Sequence, residues 1–354
     1  MSEKRNAHTV ETLWYTRCPV PTPLGLAAQL GWFGEEFASE GIHIKTLQET
    51  ADPELRESHY DHRLDNSFRQ GGSVPAIWAK ANGRDTRVIA LNWLDEYQAI
   101  LALPDSGIRT PRDLRGRRVG LPVHKNSIDF QRAGALRGFV VALELEGLSH
   151  RDVEFVDLPA HPPLGAHTID PRVPTSAPRR PGGAYTAELY ALIRREVDAI
   201  YVKGAHGAQL AHQLRAHVVT DISRHPDPLA RTNNSAPRPV TVDSALLAAR
   251  PDLVARFLAR VIAIGPWAER NAADAVAYIA RETGSTETWV RYAYGNDVHR
   301  RLHNHLDESA VAGLNAFKNF LFEWKFIPAD FDARAWIDPL PLAQAQDYVR
   351  RQIA

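Results

Sequence analysis

The 354-residue chain is 24% charged and 44% hydrophobic, and its 42 Lys plus Arg balance 42 Asp plus Glu, so the formal net charge is zero. That is an ordinary globular composition, and it excludes a global basic field for holding nucleic acid or an anionic membrane. The single cysteine excludes an internal disulfide and any multi-cysteine metal site.

The N-terminal stretch carries Glu3, Lys4, Arg5, Glu11 and Arg17 and no run of seven apolar residues, so no secretory signal is expected. No later run approaches the eighteen apolar residues of a membrane span, and the expectation is a cytoplasmic protein. VETLWYTR (10–17) alternates and is rich in β-formers, which predicts a first strand. CPVPTPLG follows, and its three prolines predict an irregular, extended turn. LAAQLGWFGEEFASEG has helical spacing closed by Gly41, and IHIKTLQ reads as a second strand. Strand, loop, helix and strand make a parallel βαβ start.

Residues 50–70 are polar, contain His59 and His62, and read as a loop that is mobile without ligand. GGSVPAIWAKANG predicts a short helix beginning at a glycine pair, and RVIALNWL a buried strand. RTPRDLRGRRVGLP reads as a helical turn followed by a strand entering a new lobe. A helix is expected over 126–147, a strand at DVEFVDLP, and a long proline-rich loop over 160–184. AELYALIRREVDAIYVKG gives a helix and strand, HVVTDIS another strand, and helices fill most of the remainder. No repeat or low-complexity segment is present.

A chain of this length exceeds the size at which single cores stop growing, about 250–300 residues. Alternating strands and helices therefore predict two α/β lobes. Residues 1–117 and 223–354 are expected to form lobe I, and residues 118–222 lobe II. Mixed sheets covered by helices would leave a ligand cleft between lobes, at the carboxyl ends of strands.

Cys18 falls just past the first strand, in that location, and His59 and Arg69 follow on the same edge. A thiol can act as nucleophile or proton donor, and an imidazole can exchange a proton with it. Arg69 offers a planar fork of donors suited to paired anionic oxygens. Gly71 and Gly72 open a helix whose first amides could approach an anion. Each feature also has a bland explanation. A free cysteine packs as a small hydrophobe, Arg69 and His59 could be solvated, and a glycine pair can be only a turn.

YTRCPVP, then His59–Tyr60, then Arg69-Gln70-Gly71-Gly72, together resemble the aryl-sulfinate desulfinase family of bacterial dibenzothiophene desulfurisation. That family carries a cysteine in a CPVP turn, a histidine followed by an aromatic residue, and, ten residues after the histidine, an arginine followed by x-Gly-Gly. His59 and Arg69 have that separation. The resemblance implies that Cys18 is the essential thiol and that His59 orders and assists it. It implies that Arg69 and the Gly72 amide hold sulfinate oxygens beside Gly71, and that Tyr60 walls an aromatic pocket. It further implies hydrolytic release of sulfite from an aryl sulfinate with no metal or organic cofactor; the chain is expected to act as a monomer.

DVEFVDLP, EVDAIYVKG and the helical stretch from Ala249 to Ala275 extend the resemblance more loosely over the chain. They are also similar to the sulfonate-binding proteins, which implies a type 2 periplasmic-binding-protein-like fold. The family's pocket helix bears a tryptophan. Here no tryptophan occurs between Trp93 and Trp267, and Gly134 falls near that place, which implies a differently shaped aryl group. The competing expectation is a solute-binding protein for a sulfonate or small aromatic anion, without catalysis. Thiamine-pyrimidine synthases share the fold but need several cysteines or histidines around iron, which a lone cysteine does not supply.

Overall fold

The structure is a computed structural model describing residues 9–159 and 184–353. The long loop expected at 160–184 lies, except for its last residue, outside the described residues. Among the described residues the strands form two five-stranded sheets.

The first sheet is built from β1 (Thr12–Arg17), β2 (His43–Thr46), β3 (Ser67–Gln70), β4 (Thr86–Asn92) and a late strand, Arg238–Asp243. β1 runs parallel to both β2 and β3, and the late strand pairs antiparallel with β3 and β4. β3 is therefore interior, with pairing partners on both sides. The second sheet holds β5 (Gln98–Ala102), β6 (Arg118–Val123), β7 (Glu154–Pro159), β8 (Ala199–Lys203) and β9 (His217–Asp221). β6 is parallel to β7 and β8, and β5 is antiparallel to β8 and β9.

Helices cover these sheets. α1 (Pro23–Gln29) and α2 (Trp32–Phe37) replace the one helix expected after the CPVP turn. The break falls at Gly31, whose φ of 78° is left-handed and cannot continue a helix. Pro23 opens α1 at its first turn, where its missing N–H costs nothing.

The segment expected as a mobile loop at 50–70 is instead helix α3 (Pro53–Asp61) followed by β3. Asp52 caps α3 by accepting from the Glu54 amide at 2.8 Å, and Pro53 again takes the first helical turn. α3 ends because His62 turns left-handed, with φ of 52°. α4 (Ser73–Ala81) begins at the glycine pair as expected.

Phenylalanine stacking fixes the face of β3. Phe257 lies between Phe68 and Phe33, with ring centroids 3.8 Å and 4.1 Å away and planes within 5°. Phe68 is 1% exposed, and burying such a ring contributes roughly 1.5–3 kcal/mol. Strand alternation then turns its neighbour Arg69 to the opposite face.

Two apolar cores form, and each runs through both sheets. One joins Leu13, Phe68 and Val240 to Ala99, Ile200 and Val202. The other joins Val88 and Leu91 to Ile100, Val119 and Ala199. Because β5 pairs in the second sheet, the chain first crosses between residues 92 and 98, before the boundary expected at 118. The five-residue strand QAILA, one glutamine followed by four apolar residues, has no periodicity to announce it.

Candidate active site

Cys18 follows the last residue of β1 in a turn tied down on several sides. The Val20 amide donates to the Cys18 carbonyl at 2.7 Å, and Thr22 caps α1 by accepting from the Gly25 amide at 3.0 Å. The Leu24 amide donates to Gln70 Oε1 at 2.9 Å. On the outer side, Arg17 pairs with Glu282 (Nε to Oε1, 3.2 Å), which also accepts from Gln29 Nε2 at 2.7 Å.

His59 enters from α3. Its Nε2 lies 3.9 Å from the Cys18 sulfur, and its Nδ1 lies 2.8 Å from Thr16 Oγ1. Burial, helped by the Arg69 charge, drives its pKa from 6.5 down to about 3. The imidazole is therefore neutral in any ordinary working range. His62, three residues beyond, is buried and is likewise held well below its usual value.

Arg69 is 3% exposed. Its Nε donates to the His59 carbonyl at 3.1 Å, engaging one of the carbonyls left open at the end of α3. Its Nη1 donates to the Gly72 carbonyl at 2.9 Å. Its Nη2 is buried with no hydrogen-bond partner, and among the described residues no carboxylate pairs with this guanidinium. Buried charges are normally paired. Burial without a counter-ion pulls its pKa down, and the nearby Cys18 works in the opposite direction.

Gly71 is the point where these groups converge. A Cβ there would stand 2.6 Å from the Cys18 sulfur and 3.5 Å from Arg69 Nη2. The thiol and the free Nη2 thus share the space that any other residue's side chain would fill. Gly72 is the N-cap of α4, and a Cβ there would strike the Asn234 side chain at 2.5 Å. Asn234 already accepts from the first α4 amides, those of Ser73 and Val74, at 2.7 and 2.9 Å.

Tyr60 stands edge-on to His59, with centroids 4.9 Å apart at 89°, and stacks on Phe130 at 6.3 Å. Phe130 opens α5 (Phe130–Glu144), which belongs to the second lobe. Glu57 of α3 also meets Ser127 of that lobe. α3 therefore bridges the lobes. Farther along α5, the Gly134 carbonyl accepts from Asn233, the residue beside Asn234.

Every site residue expected from the sequence falls in this one region. Thr16, Gln48 and Asn234 were missed. Thr16 was findable, being two residues before Cys18 near the end of β1. Gln48 is placed by the β1–β2 register, which sets Tyr15 opposite Thr46. Asn234 is 162 positions from Gly72 and leaves no local signal. Among the described residues no group of three or more His, Cys, Asp or Glu could hold a metal ion, and no helix is long and apolar enough to cross a membrane.

Two mixed sheets covered by helices are the architecture of the type 2 periplasmic-binding-protein-like fold. Comparison with known proteins agrees. The family described as NMT1/THI5 like matches residues 19–171. Over 93% of its length the chain is 26% identical to the 2'-hydroxybiphenyl-2-sulfinate desulfinase of Rhodococcus erythropolis, covering 92% of that protein. The crystal structure of a mutant of the enzyme DSZB in complex with biphenyl-2-sulfinic acid superposes with a TM-score of 0.75 at 24% identity, covering 95% of this chain and 99% of that one. The periplasmic aliphatic sulphonate binding protein SsuA from Escherichia coli gives 0.62 at 16% identity, covering 93% and 92%.

Proposed function

We propose that the protein is an aryl-sulfinate desulfinase, which converts an aryl sulfinate and water into the arene and bisulfite. The observation that carries this reading is the buried, unpaired Nη2 of Arg69 close to the Cys18 thiol, both drawn against the backbone of Gly71. An anionic group bound at Nη2 would supply the counter-charge that Arg69 lacks and would lie near the Cys18 thiol. Similarity to the Rhodococcus desulfinase over nearly the full length supports the same reading.

Arg69 would take the sulfinate oxygens, and its position would not change during the reaction, since Nε and Nη1 are already fixed. In one route the Cys18 thiol gives its proton to the ring carbon bearing sulfur. The C–S bond pair stays with that carbon's ring, SO2 leaves, and water converts it to bisulfite while a proton returns to the thiolate. In the other route a Cys18 thiolate attacks sulfur, the arene carbon takes a proton as it leaves, and water releases sulfite from the thiosulfonate-like intermediate. Neither route calls on a metal or organic cofactor. Tyr60 and Phe130 would flank the ring.

A sulfonate-binding protein would share the fold and an anion site but would have no use for the thiol. Sulfite release from a panel of aryl and alkyl sulfinates, with Cys18→Ser alongside, separates the two. Release from aryl sulfinates that falls at least about a thousandfold in the variant is expected. Binding of sulfinates with no release would favour the carrier.

A further inference from the structure

We propose that Gln48 and Thr16 are positioning residues that fix His59 as the Nε2–H tautomer, so that His59 donates to the Cys18 sulfur and does not take the thiol's proton. This deepens the desulfinase reading, but its direct test needs no turnover.

The argument starts from Gln48, whose amide orientation is set by the main chain. The Arg17 N–H, which can only donate, reaches Gln48 Oε1 at 3.1 Å. The Arg17 carbonyl, which can only accept, takes a bond from Gln48 Nε2. Thr46 adds a further donor to Oε1 at 2.5 Å. Oxygen and nitrogen of the carboxamide are therefore not interchangeable. Gln48 is exposed, yet these contacts hold its end in place.

Gln48 Nε2 also faces Thr16 Oγ1 at 3.2 Å, and there it can only donate. The Thr16 oxygen must accept, which leaves its own hydrogen for another partner. Thr16 is 2% exposed, so that hydrogen cannot be given to solvent. Among the described residues the remaining partner of this hydroxyl is His59 Nδ1, at 2.8 Å. Were Nδ1 protonated, the buried hydroxyl hydrogen would have no acceptor, a loss of about 1–3 kcal/mol. Nδ1 therefore accepts, and a neutral imidazole then carries its proton on Nε2, facing the sulfur at 3.9 Å.

Two chemical results follow. His59 in this form cannot be the base that removes the Cys18 proton. It can hold the thiolate that remains once the thiol has given its proton away. The thiol hydrogen, not engaged by His59, stays available to the substrate, which favours the proton-donor route over nucleophilic attack.

Two-bond 1H–15N correlation spectra of histidine-labelled protein read the tautomer directly. Wild-type His59 should show a bare Nδ1 and a protonated Nε2. Gln48→Glu reverses the network. A carboxylate accepts the Thr16 hydrogen, Thr16 then accepts from Nδ1–H, and the spectrum should invert. Thr16→Val should leave a mixture, and Thr16→Ser should restore the wild-type pattern.

In sulfite release, Gln48→Glu and Thr16→Val should lower kcat by about 10–100-fold with KM little changed. The pH dependence of Cys18 alkylation should move to higher pH in both. A wild-type His59 protonated on Nδ1 would overturn the proposal, as would a spectrum unmoved by both substitutions. If the tautomer is as assigned and no sulfinate is turned over, the desulfinase reading fails and the tautomer assignment stands.

Discussion

Gly71→Ala is the sharpest test of the site geometry. Gly71 does not have a positive φ, so alanine is not excluded by its backbone, and the whole effect comes from what the new methyl meets. It would stand 2.6 Å from the Cys18 sulfur and 2.7 Å from the Cys18 Cβ. Ordinary contact begins near about 3.5 Å, so the thiol must retreat by roughly 1 Å. The turn bearing it is anchored by Thr22, Gln70 and Glu282, and overpacking of this kind typically costs about 1–3 kcal/mol. A displacement of 1 Å at a reacting group costs on the order of 10²-fold in rate. The assay is kcat for sulfite release together with the urea midpoint. Gly34→Ala, on an exposed helical face with open space around it, serves as the control and should be neutral or slightly stabilising. In a Cys18→Gly background the stability penalty of Gly71→Ala should vanish, because both clashing atoms are gone. A Gly71→Ala enzyme keeping more than a third of wild-type kcat would refute the close approach of thiol and glycine.

Arg69→Met keeps the length of the side chain and removes its charge. A charge-assisted hydrogen bond is worth about 1.5–3 kcal/mol, so aryl sulfinates should bind about 10–100-fold more weakly, and their stabilisation of wild type in thermal melts should disappear; equal Kd values in the two proteins would remove Arg69 from the anion site. His59 should also make stability fall with acid. Its folded pKa of about 3 lies below the unfolded value of 6.5, so the unfolded chain binds the extra proton and stability is lost as pH drops below 6.5. From His59 alone the loss at pH 5 is about 2 kcal/mol relative to pH 7, and His62 acts in the same direction. Urea denaturation at the two pH values should show this loss shrinking in His59→Gln, and an identical pH dependence in the variant would contradict the buried neutral imidazole.

Local signals survived the passage from sequence to fold well. The CPVP turn and the helix starting at Gly72 depend on proline and glycine backbone preferences, which act within a few residues. PELRESHYD failed because it is a polar helix with no apolar stripe, so periodicity gave nothing; its Asp52–Pro53 start was the available clue. β5 and the strand Arg238–Asp243 are buried on both faces and too short to separate from helix by pattern. The second of these also runs straight into a helix that Asp243 caps, accepting from the Leu246 amide at 2.8 Å. Partners of the site that act across the sheet, Gln48 on Thr16 and Asn234 on α4, depend on register and tertiary closure, which one sequence does not display.

Cys18, in the turn after β1, His59 on α3 and Arg69 on β3 all sit on the first sheet's side, whereas Phe130, which backs Tyr60, opens α5 over the second sheet. In the proposed desulfinase the reacting groups therefore lie on the first sheet's side, while part of the ring's wall, Phe130, comes from α5. Changes on α5 would then reshape the ring's wall and leave the reacting centre untouched, whereas loss of the thiol from the CPVP turn would abolish the proposed reaction for every substrate at once. A library confined to the α5 face should therefore shift ring preference in the proposed reaction while Cys18-dependent sulfite release persists.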